Sequence, residues 1–148
     1  MDYAKLFQNY KDDVYRLALC YTHSQADAED VCQTVFLKLM EQRCFRCGSE
    51  KQWLLRVTAN ECRNLLRSHW WKTTVPLDET LSVEPPQVNE TLQAVLSLDR
   101  KYRVVIYLHY YEMLGTQEIA QILHISRSAV TTRLSRAREM LKTKLKED

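Results

Sequence analysis

The scarcity of glycine and proline limits what this chain can fold into. Only two of its 148 residues are Gly and three are Pro, so few positions allow the positive φ angles of tight hairpin turns. A chain with so few helix breakers, and with 45% hydrophobic residues, favours helices joined by short connections over a sheet. The sequence therefore predicts a folded, all-α protein.

Apolar residues recur at the spacing of amphipathic helices. In the first half, the pattern predicts two helices on either side of Ser24, where Ser24-Gln25-Ala26-Asp27 has the form of a capping box, and a third helix over about 51–71. The apolar positions are Val14, Leu17, Ala18 and Tyr21, then Val31, Val35, Phe36, Leu39 and Met40, then Trp53, Leu54, Val57, Cys62, Leu65 and Leu66. We expect these side chains to form the core of an N-terminal helical domain.

The second half shows the same periodicity in shorter segments. Asn89 is a suitable N-cap for the first helix, a second helix follows, and two more are predicted over about 116–123 and 127–146. The apolar positions are Leu92, Val95 and Leu96, then Val104, Val105, Leu108 and Tyr111, then Ile119, Ala120, Ile122 and Leu123, then Val130, Leu134, Ala137, Leu141 and Leu145. These segments predict a second helical domain.

A linker is predicted between the two halves. Residues 73–90 contain all three prolines, four acidic residues and no Lys or Arg, and they have no sustained helical period. The sequence thus predicts a domain at 1–72, a flexible linker at 73–90 and a domain at 91–148. Fully extended, the linker reaches about 60 Å, so one chain could contact two DNA sites more than a helical turn apart.

The net charge of +2 conceals a division into blocks. Residues 1–42 hold four Lys/Arg against seven Asp/Glu, and 43–72 hold seven against two. The linker is acidic, and 91–148 hold ten Lys/Arg against six Asp/Glu. Two separate basic blocks suggest two contacts with a polyanion, whereas an acidic block is either a docking face for a basic protein or a solvated surface.

Residues 116–134 have the form of a helix-turn-helix. The small Ala120 allows the two helices to cross closely, Ile125 fills the space beneath the turn, and Ser126 is placed to cap the second helix. Residues expected on its outer side, where recognition helices meet base edges, are Arg127, Ser128, Thr131, Thr132 and Ser135, with Arg133, Arg136 and Arg138 flanking them as phosphate contacts. The alternative is an ordinary helical hairpin with a solvated basic face. Seven Lys/Arg against one acidic residue over 126–146 favour DNA binding.

Several segments resemble the sigma-70 family of transcription initiation factors, and most closely its small extracytoplasmic-function (ECF) group. The fourth region of that family is similar to LDRKYRVV at 98–105, EIA at 118–120 and RLSRAR at 133–138. DAEDVCQTVFL at 27–37 resembles the polymerase-binding helix of the second region, and WLLRVTAN at 53–60 continues into its promoter-melting part. The matches cover nearly the whole chain, in family order.

The resemblance implies an alternative sigma factor that binds core RNA polymerase, through its clamp helices and flap, and promoter DNA. It also implies an anti-sigma partner, no cofactor and no catalytic activity. The residues it assigns to polymerase binding are Asp27, Asp30, Gln33 and Phe36, those for the −10 element are Arg56, Asn60, Arg63, Arg67, Trp70, Trp71 and Lys72, and those for the −35 element are the eight residues of the recognition helix named above. The acidic residues suit a basic surface but also occur simply as helix N-terminal charges. Cations beside aromatic rings are typical of sites that hold unstacked bases, although a tryptophan also packs well in a core.

Three residues depart from the family pattern. Asp99 stands where the family usually has Pro, and either residue can begin a helix. His124 takes the turn position usually held by Gly, where His is better tolerated than most residues. Gly115 replaces a common capping Ser and should weaken that helix start by only a few tenths of a kcal/mol.

Parts of the sequence are also compatible with two other classes of protein. An enzyme or sensor has its best support in Cys44 and Cys47, but a lone CxxC without further ligands is a weak signal for a metal or redox site. An odd number of cysteines, five, favours reduced thiols. The other class is a stand-alone helix-turn-helix regulator, which would bind duplex DNA tightly without polymerase. The sequence has no apolar run of about 20 residues and no signal peptide near its N-terminus, so we expect a cytoplasmic protein with no membrane insertion.

Overall fold

The computed structural model describes residues 2–42, 49–69 and 89–146, and every regular element in these ranges is helical. The elements are α1 (Tyr3–Thr22), α2 (Gln25–Glu41), α3 (Glu50–His69), α4 (Glu90–Leu96), α5 (Arg100–Ile106), a π-helical turn (Tyr107–Tyr111), α6 (Thr116–Leu123) and α7 (Arg127–Lys146). This confirms the all-α prediction. The chain divides into two compact units, Met1–Pro86 and Gln87–Asp148. The predicted sites at Cys44, Cys47, Trp70, Trp71 and Lys72 lie outside the described residues.

In the first unit, α1, α2 and α3 each pack against the other two. Ser24 is the N-cap of α2, and its Oγ accepts a hydrogen bond from the N–H of Asp27 at 3.3 Å. This confirms half of the predicted capping box, while the N–H of Ser24 donates to Thr22 Oγ1 at 3.3 Å. The hydroxyl of Tyr3 donates to the carbonyl oxygens of Met40 and Gln42. These hydrogen bonds join the start of α1 to the end of α2.

The core of the first unit follows the predicted periodicity with some exceptions. The buried apolar residues are Val14, Tyr15, Leu17, Ala18, Cys20, Tyr21, Ala28, Val31, Val35, Leu39, Leu54, Leu55, Ala59 and Cys62. The prediction was wrong for Met40, which is 63% exposed. On α3, Trp53 and Val57 are only partly buried, and Leu55 and Ala59 face the core instead. Periodicity places a stripe only approximately, so residues at its edges are the least certain.

Three of the cysteines lie within the described residues and form no disulfide. Cys20 and Cys62 are buried and Cys32 is partly buried. Burial raises the pKa of the Cys32 thiol to about 12, and nearby Glu29 and Asp12 add to this rise. Burial also raises the pKa of the Cys62 thiol. Because the thiolate is the reactive form, both thiols act as small apolar groups of the core.

The second unit contains α4 to α7. The side chain of Asn89 caps α4 by accepting from the N–H of Leu92 at 2.9 Å, as the sequence predicted. Glu90, which the sequence prediction placed in the linker, is the first residue of this helix. Asp99 is the N-cap of α5, but its side chain makes no capping hydrogen bond. The carbonyl oxygen of Asp99 accepts a hydrogen bond from the N–H of Arg103 at 2.9 Å. The Arg103 side chain is buried, and its guanidinium donates to the carbonyl oxygen of Leu98 at 3.1 Å.

The helix predicted through Tyr111 does not stay α-helical to its end. After α5 the backbone widens into a π-helical turn, closed by a 3.2 Å hydrogen bond from the N–H of Glu112 to the carbonyl of Tyr107. The ring of Tyr107 is fully buried and stacks on that of Tyr111 at 5.4 Å between centroids. The N–H of Leu114 then reaches back to the carbonyl of Leu108 at 3.1 Å. The turn thus ends the helix and leads into α6.

Candidate nucleic-acid and polymerase interfaces

The helix-turn-helix is formed by α6, a short turn and α7. His124 adopts the left-handed conformation with φ 56° and ends α6, as the sequence predicted for this position. Gly115 is the N-cap of α6. The N–H of Ile125 donates to Ala120 O at 3.2 Å, which closes the turn. Ser126 Oγ accepts from the N–H of Ala129 at 3.1 Å, so the predicted cap of α7 is confirmed.

The orientation of α7 is the one that the sequence predicted. Val130, Leu134 and Ala137 are buried against the unit, and α7 packs on α4, α5 and α6. The exposed residues on the opposite side are Arg127, Ser128, Thr131, Thr132, Ser135, Arg136 and Arg138. A surface of guanidinium groups, which donate hydrogen bonds, and of hydroxyl groups, which can also accept them, therefore faces outward, as contact with base edges and phosphates requires.

Two of the arginines at this surface are positioned by neighbouring elements. Arg127 donates through Nε to Thr116 Oγ1 on α6 at 3.0 Å. Arg138 donates through Nε to the hydroxyl of Tyr110 and lies 5.7 Å from the centre of that ring. Each contact orients a guanidinium through one nitrogen and leaves the others available. Neither partner was predicted from the sequence, because residues of separate helices meet only in the folded unit.

Two concave regions flank α7. One has a cavity volume of about 460 Å³ and lies between the start of α5 and α7; its lining residues are Lys101, Tyr102, Ser126, Ser128, Ala129, Thr132, Arg133 and Arg136. The other, of about 400 Å³, is at the start of α6 and is lined by Gly115, Thr116, Gln117, Glu118, Gln121 and Arg127. Lys101 was not among the DNA-binding residues predicted from the sequence. Thus one side of α7 borders a cleft with three cationic side chains.

A row of polar residues runs along α3. Arg56, Asn60, Arg63 and Arg67 recur at intervals of four, three and four residues, which places them on one face of the helix. Arg63 donates to Asn60 Oδ1 and, at 3.5 Å, to the hydroxyl of Tyr21. Arg67 donates to Asn64 Oδ1 at 2.6 Å. The structure thus brings together the four predicted −10 residues that it describes, and it shows that Asn60 is oriented by Arg63.

The outward face of α2 carries the predicted polymerase-binding residues together with apolar ones. A single helical row contains Asp30, Gln33, Leu37 and Met40. Leu37 and Met40 are each 63% exposed. Asp27 and Phe36 lie beside this row and are partly buried. The acidic and amide groups therefore continue directly into exposed apolar surface, which is typical of a protein-binding face.

The apolar part of this face includes a groove shared with α1. Phe36 packs edge to face on Phe7, with 4.9 Å between ring centroids. The groove has a cavity volume of about 230 Å³ and is lined by Tyr3, Ala4, Phe7, Phe36, Leu39 and Met40. Phe7 and Leu37 were not predicted as site residues from the sequence. Phe7 precedes the apolar stripe of α1, which begins at Val14, and Leu37 interrupts the stripe of α2. Their exposure is visible only in the packed unit.

Within the described ranges, no group of three or more His, Cys, Asp or Glu side chains could hold a metal ion. No helix in the described part of the chain is long and apolar enough to cross a membrane.

Both halves of the chain match known families. Residues 6–72 match the model of sigma-70 region 2, and residues 89–141 match that of sigma-70 region 4. The ECF RNA polymerase sigma factor SigM of Bacillus subtilis is 30% identical, over 93% of this chain and 91% of SigM. A probable RNA polymerase sigma factor of Xanthomonas campestris, RfaY, is 27% identical over 97% of this chain, which spans 40% of RfaY.

A solved structure has the same fold. The sigma factor RpoE of Bartonella quintana, crystallised with the anti-sigma factor NepR, superposes with a TM-score of 0.75 at 21% identity, over 99% of this chain and 98% of RpoE. The two family models follow one another in the order that the sequence motifs predicted, and the relative SigM is matched over nearly its whole length. The chain therefore belongs to the sigma-70 family of transcription initiation factors, within its ECF group of RNA polymerase sigma factors.

Proposed function

We propose that this alternative sigma factor binds core RNA polymerase through the outward face of α2 and directs initiation by contacting promoter DNA through α3 and α7. The observation that carries the proposal is the pair of exposed, donor-rich helix faces, one in each unit. It performs no catalysis of its own, since its exposed groups suit recognition, and it acts in the cytoplasm, where the polymerase and the DNA are.

In the second unit, α7 enters the major groove at the −35 element. Its exposed Ser128, Thr131 and Thr132 lie in the N-terminal half of the helix, the part of a recognition helix that meets base edges. Arg127 is held at the edge of this surface by Thr116. Ser135 extends the same face, and Arg133, Arg136 and Arg138 serve as phosphate contacts along it.

In the first unit, the α3 row contacts the −10 element. Guanidinium groups of Arg56, Arg63 and Arg67 follow one face of the helix and neutralise phosphates of the separated strand. Asn60, whose side chain is oriented by Arg63, hydrogen-bonds an unstacked base. Trp70, Trp71 and Lys72 complete this site as stacking and phosphate groups, a role that rests on the sequence and the family resemblance alone.

The polymerase contact is made by Asp27, Asp30, Gln33 and Phe36 on the clamp helices, with the flap contacting the second unit. Acidic side chains at the start of α2 meet a basic surface, and the neighbouring Leu37 and Met40 supply apolar area that is otherwise left in water. The same faces fit an anti-sigma factor, such as the one bound to the Bartonella RpoE, which would prevent polymerase binding by covering them.

The test is initiation by purified core polymerase. Core enzyme alone should not initiate at promoters from the chain's own genome, whereas core enzyme with this protein should produce discrete transcripts. The protein alone should bind the same DNA weakly. Tight operator binding without polymerase, together with no transcript from any promoter, would identify a stand-alone regulator instead.

Replacing Thr131 by Ala should change base preference within the −35 element. Loss of one base contact is worth about 1–3 kcal/mol of discrimination, so affinities for single-base variants of the element should converge at one position. The measurement is competition binding of the holoenzyme to a promoter library. Thr143 is the matched control, since it is exposed on the same helix and bonds the carbonyl four residues earlier at 3.1 Å, as Thr131 does. An equal weakening on every sequence would mark Thr131 as a backbone contact.

A further inference from the structure

The cleft between α5 and α7 has the chemistry of a phosphate site. Its volume is about 460 Å³, and the lining includes Lys101 from α5 and both Arg133 and Arg136 from α7. Hydroxyl groups of Ser126, Ser128 and Thr132 complete the polar wall, and none of the lining residues is acidic. Three cationic side chains and these three hydroxyl groups can all donate hydrogen bonds, and the lining contains no carboxylate to accept them. A phosphate group, whose oxygens are strong acceptors, is therefore a suitable ligand.

Two of the three cations of this cleft have no partner among the described residues. Among the described residues, none forms an ion pair or hydrogen bond with the side chain of Arg133 or Arg136. Lys101 is exposed, and its ammonium lies 5.1 Å from the ring centre of Tyr102, which is itself buried. The Tyr102 ring supports the lysine side chain at the rim of the cleft, and the Lys101 ammonium remains available to a ligand in the cleft.

The cleft also adjoins the surface assigned to base recognition. Ser128 and Thr132 face outward on α7 and at the same time line the cleft. A major groove is about 12 Å wide and is walled by the two sugar-phosphate backbones. When α7 lies in that groove, the group that occupies the cleft must lie next to the bases that Ser128 and Thr132 contact. The sugar-phosphate backbone of one DNA strand lies there.

We propose that Lys101 of α5, together with Arg133 and Arg136, clamps a backbone phosphate of the DNA strand beside α7. This inference rests on the proposed function and adds a residue outside the helix-turn-helix to the DNA contact. Arg127 and Thr116 border the other concave region, on the opposite side of α7. Phosphate contacts at both regions would fix the depth and register of α7 in the groove. Such contacts position a protein on DNA without distinguishing one base sequence from another.

The first test is the salt dependence of holoenzyme binding to promoter DNA. Replacing Lys101 by Ala should make the slope of log K against log salt shallower by up to about 0.9, the contribution of one neutralised phosphate, because Arg133 and Arg136 keep part of the contact. If the variant and the unaltered protein bind equally at about 1 M salt, the full change in slope makes the variant bind up to about eightfold more weakly at about 0.1 M salt. The loss should be the same on matched and mismatched −35 sequences, and Lys101→Arg should restore the slope.

Lys142→Ala is the control, because it removes one exposed ammonium from α7 outside the cleft. It should change the slope by much less than the Lys101 variant. Equal changes in both variants would mean that only the total charge of the unit matters, and an unchanged slope in Lys101→Ala would likewise overturn the clamp.

The second test locates the phosphate. Single phosphates around the −35 element are replaced in turn by neutral methylphosphonates. One replacement should weaken binding of the unaltered protein more than it weakens binding of Lys101→Ala, since the variant has already lost part of the contact with that phosphate. Additive losses at every position would contradict the proposal. The clamp and the proposed sigma function can be tested separately. If the unaltered holoenzyme initiates normally but both tests give the result that contradicts the clamp, the clamp is wrong and the sigma function stands.

Discussion

Replacing Leu134 by Ala is expected to lower the free energy of unfolding of the C-terminal unit by about 2–5 kcal/mol. The side chain is only 2% exposed and lies on the face of α7 that packs on the rest of the unit. Its removal loses transfer free energy and leaves a cavity. Since small domains have total stabilities near the lower end of about 5–15 kcal/mol, the variant should lose much of its folded DNA-binding surface.

Denaturation by urea, followed by far-ultraviolet circular dichroism, measures this loss. The three tryptophans, at 53, 70 and 71, all belong to the first unit, so tryptophan fluorescence provides an internal control whose midpoint should not move. Glu139→Ala, at an exposed position of α7, should change stability by no more than about 0.5 kcal/mol. A Leu134 variant as stable as this control would contradict the packing described for α7.

Replacing Asp30 by Lys is expected to weaken core polymerase binding by at least about 30-fold. Asp30 is exposed in the outward row of α2. Reversal of its charge removes an attraction and sets like charges against each other at the proposed contact, which costs about 2 kcal/mol or more. The affinity of the full chain for core enzyme, measured by fluorescence anisotropy at physiological salt, checks this prediction.

Asp12→Lys is the matched control for Asp30. It makes the same charge change at an exposed position of the same unit, and Asp12 lies near Cys32. Since Cys32 and Asp30 are two residues apart on α2, their side chains point about 200° apart, which places Asp12 beside the opposite face. The control should bind core polymerase nearly as well as the unaltered protein. Equal losses in both variants would show that net charge, rather than the α2 face, governs binding.

The helix-turn-helix was the part of the fold most accurately predicted from sequence. Both α6 and α7 begin and end where the pattern placed them, because local signals define these ends: Ser126 caps α7 through its own side chain, and His124 tolerates the left-handed conformation that ends α6. Such signals act over a few residues, so they can be recognised without knowledge of the rest of the chain.

Features that depend on contacts between helices were not predictable in the same way. Met40 has the spacing of a core residue, yet the packing of α1 on α2 leaves it exposed. Lys101 is one of several cations in its segment, and only the approach of α5 to α7 places it opposite Arg133. The pairing of Arg138 with Tyr110 joins residues 28 positions apart. Periodicity records which residues share a helix face, but it does not record which helix lies opposite.

The π-helical turn at Tyr107–Tyr111 makes the length of this segment as important as its composition. A π turn holds one residue more than an α-helical turn, so it already takes up one extra residue, and inserting a second one here would rotate all that follows by about 100°. Leu114, Glu112 and the start of α6 would then leave the positions fixed by the Tyr107 and Leu108 carbonyls. The number of residues in this stretch therefore matters to the fold as well as their identity, because one residue more would separate the recognition helix from its support.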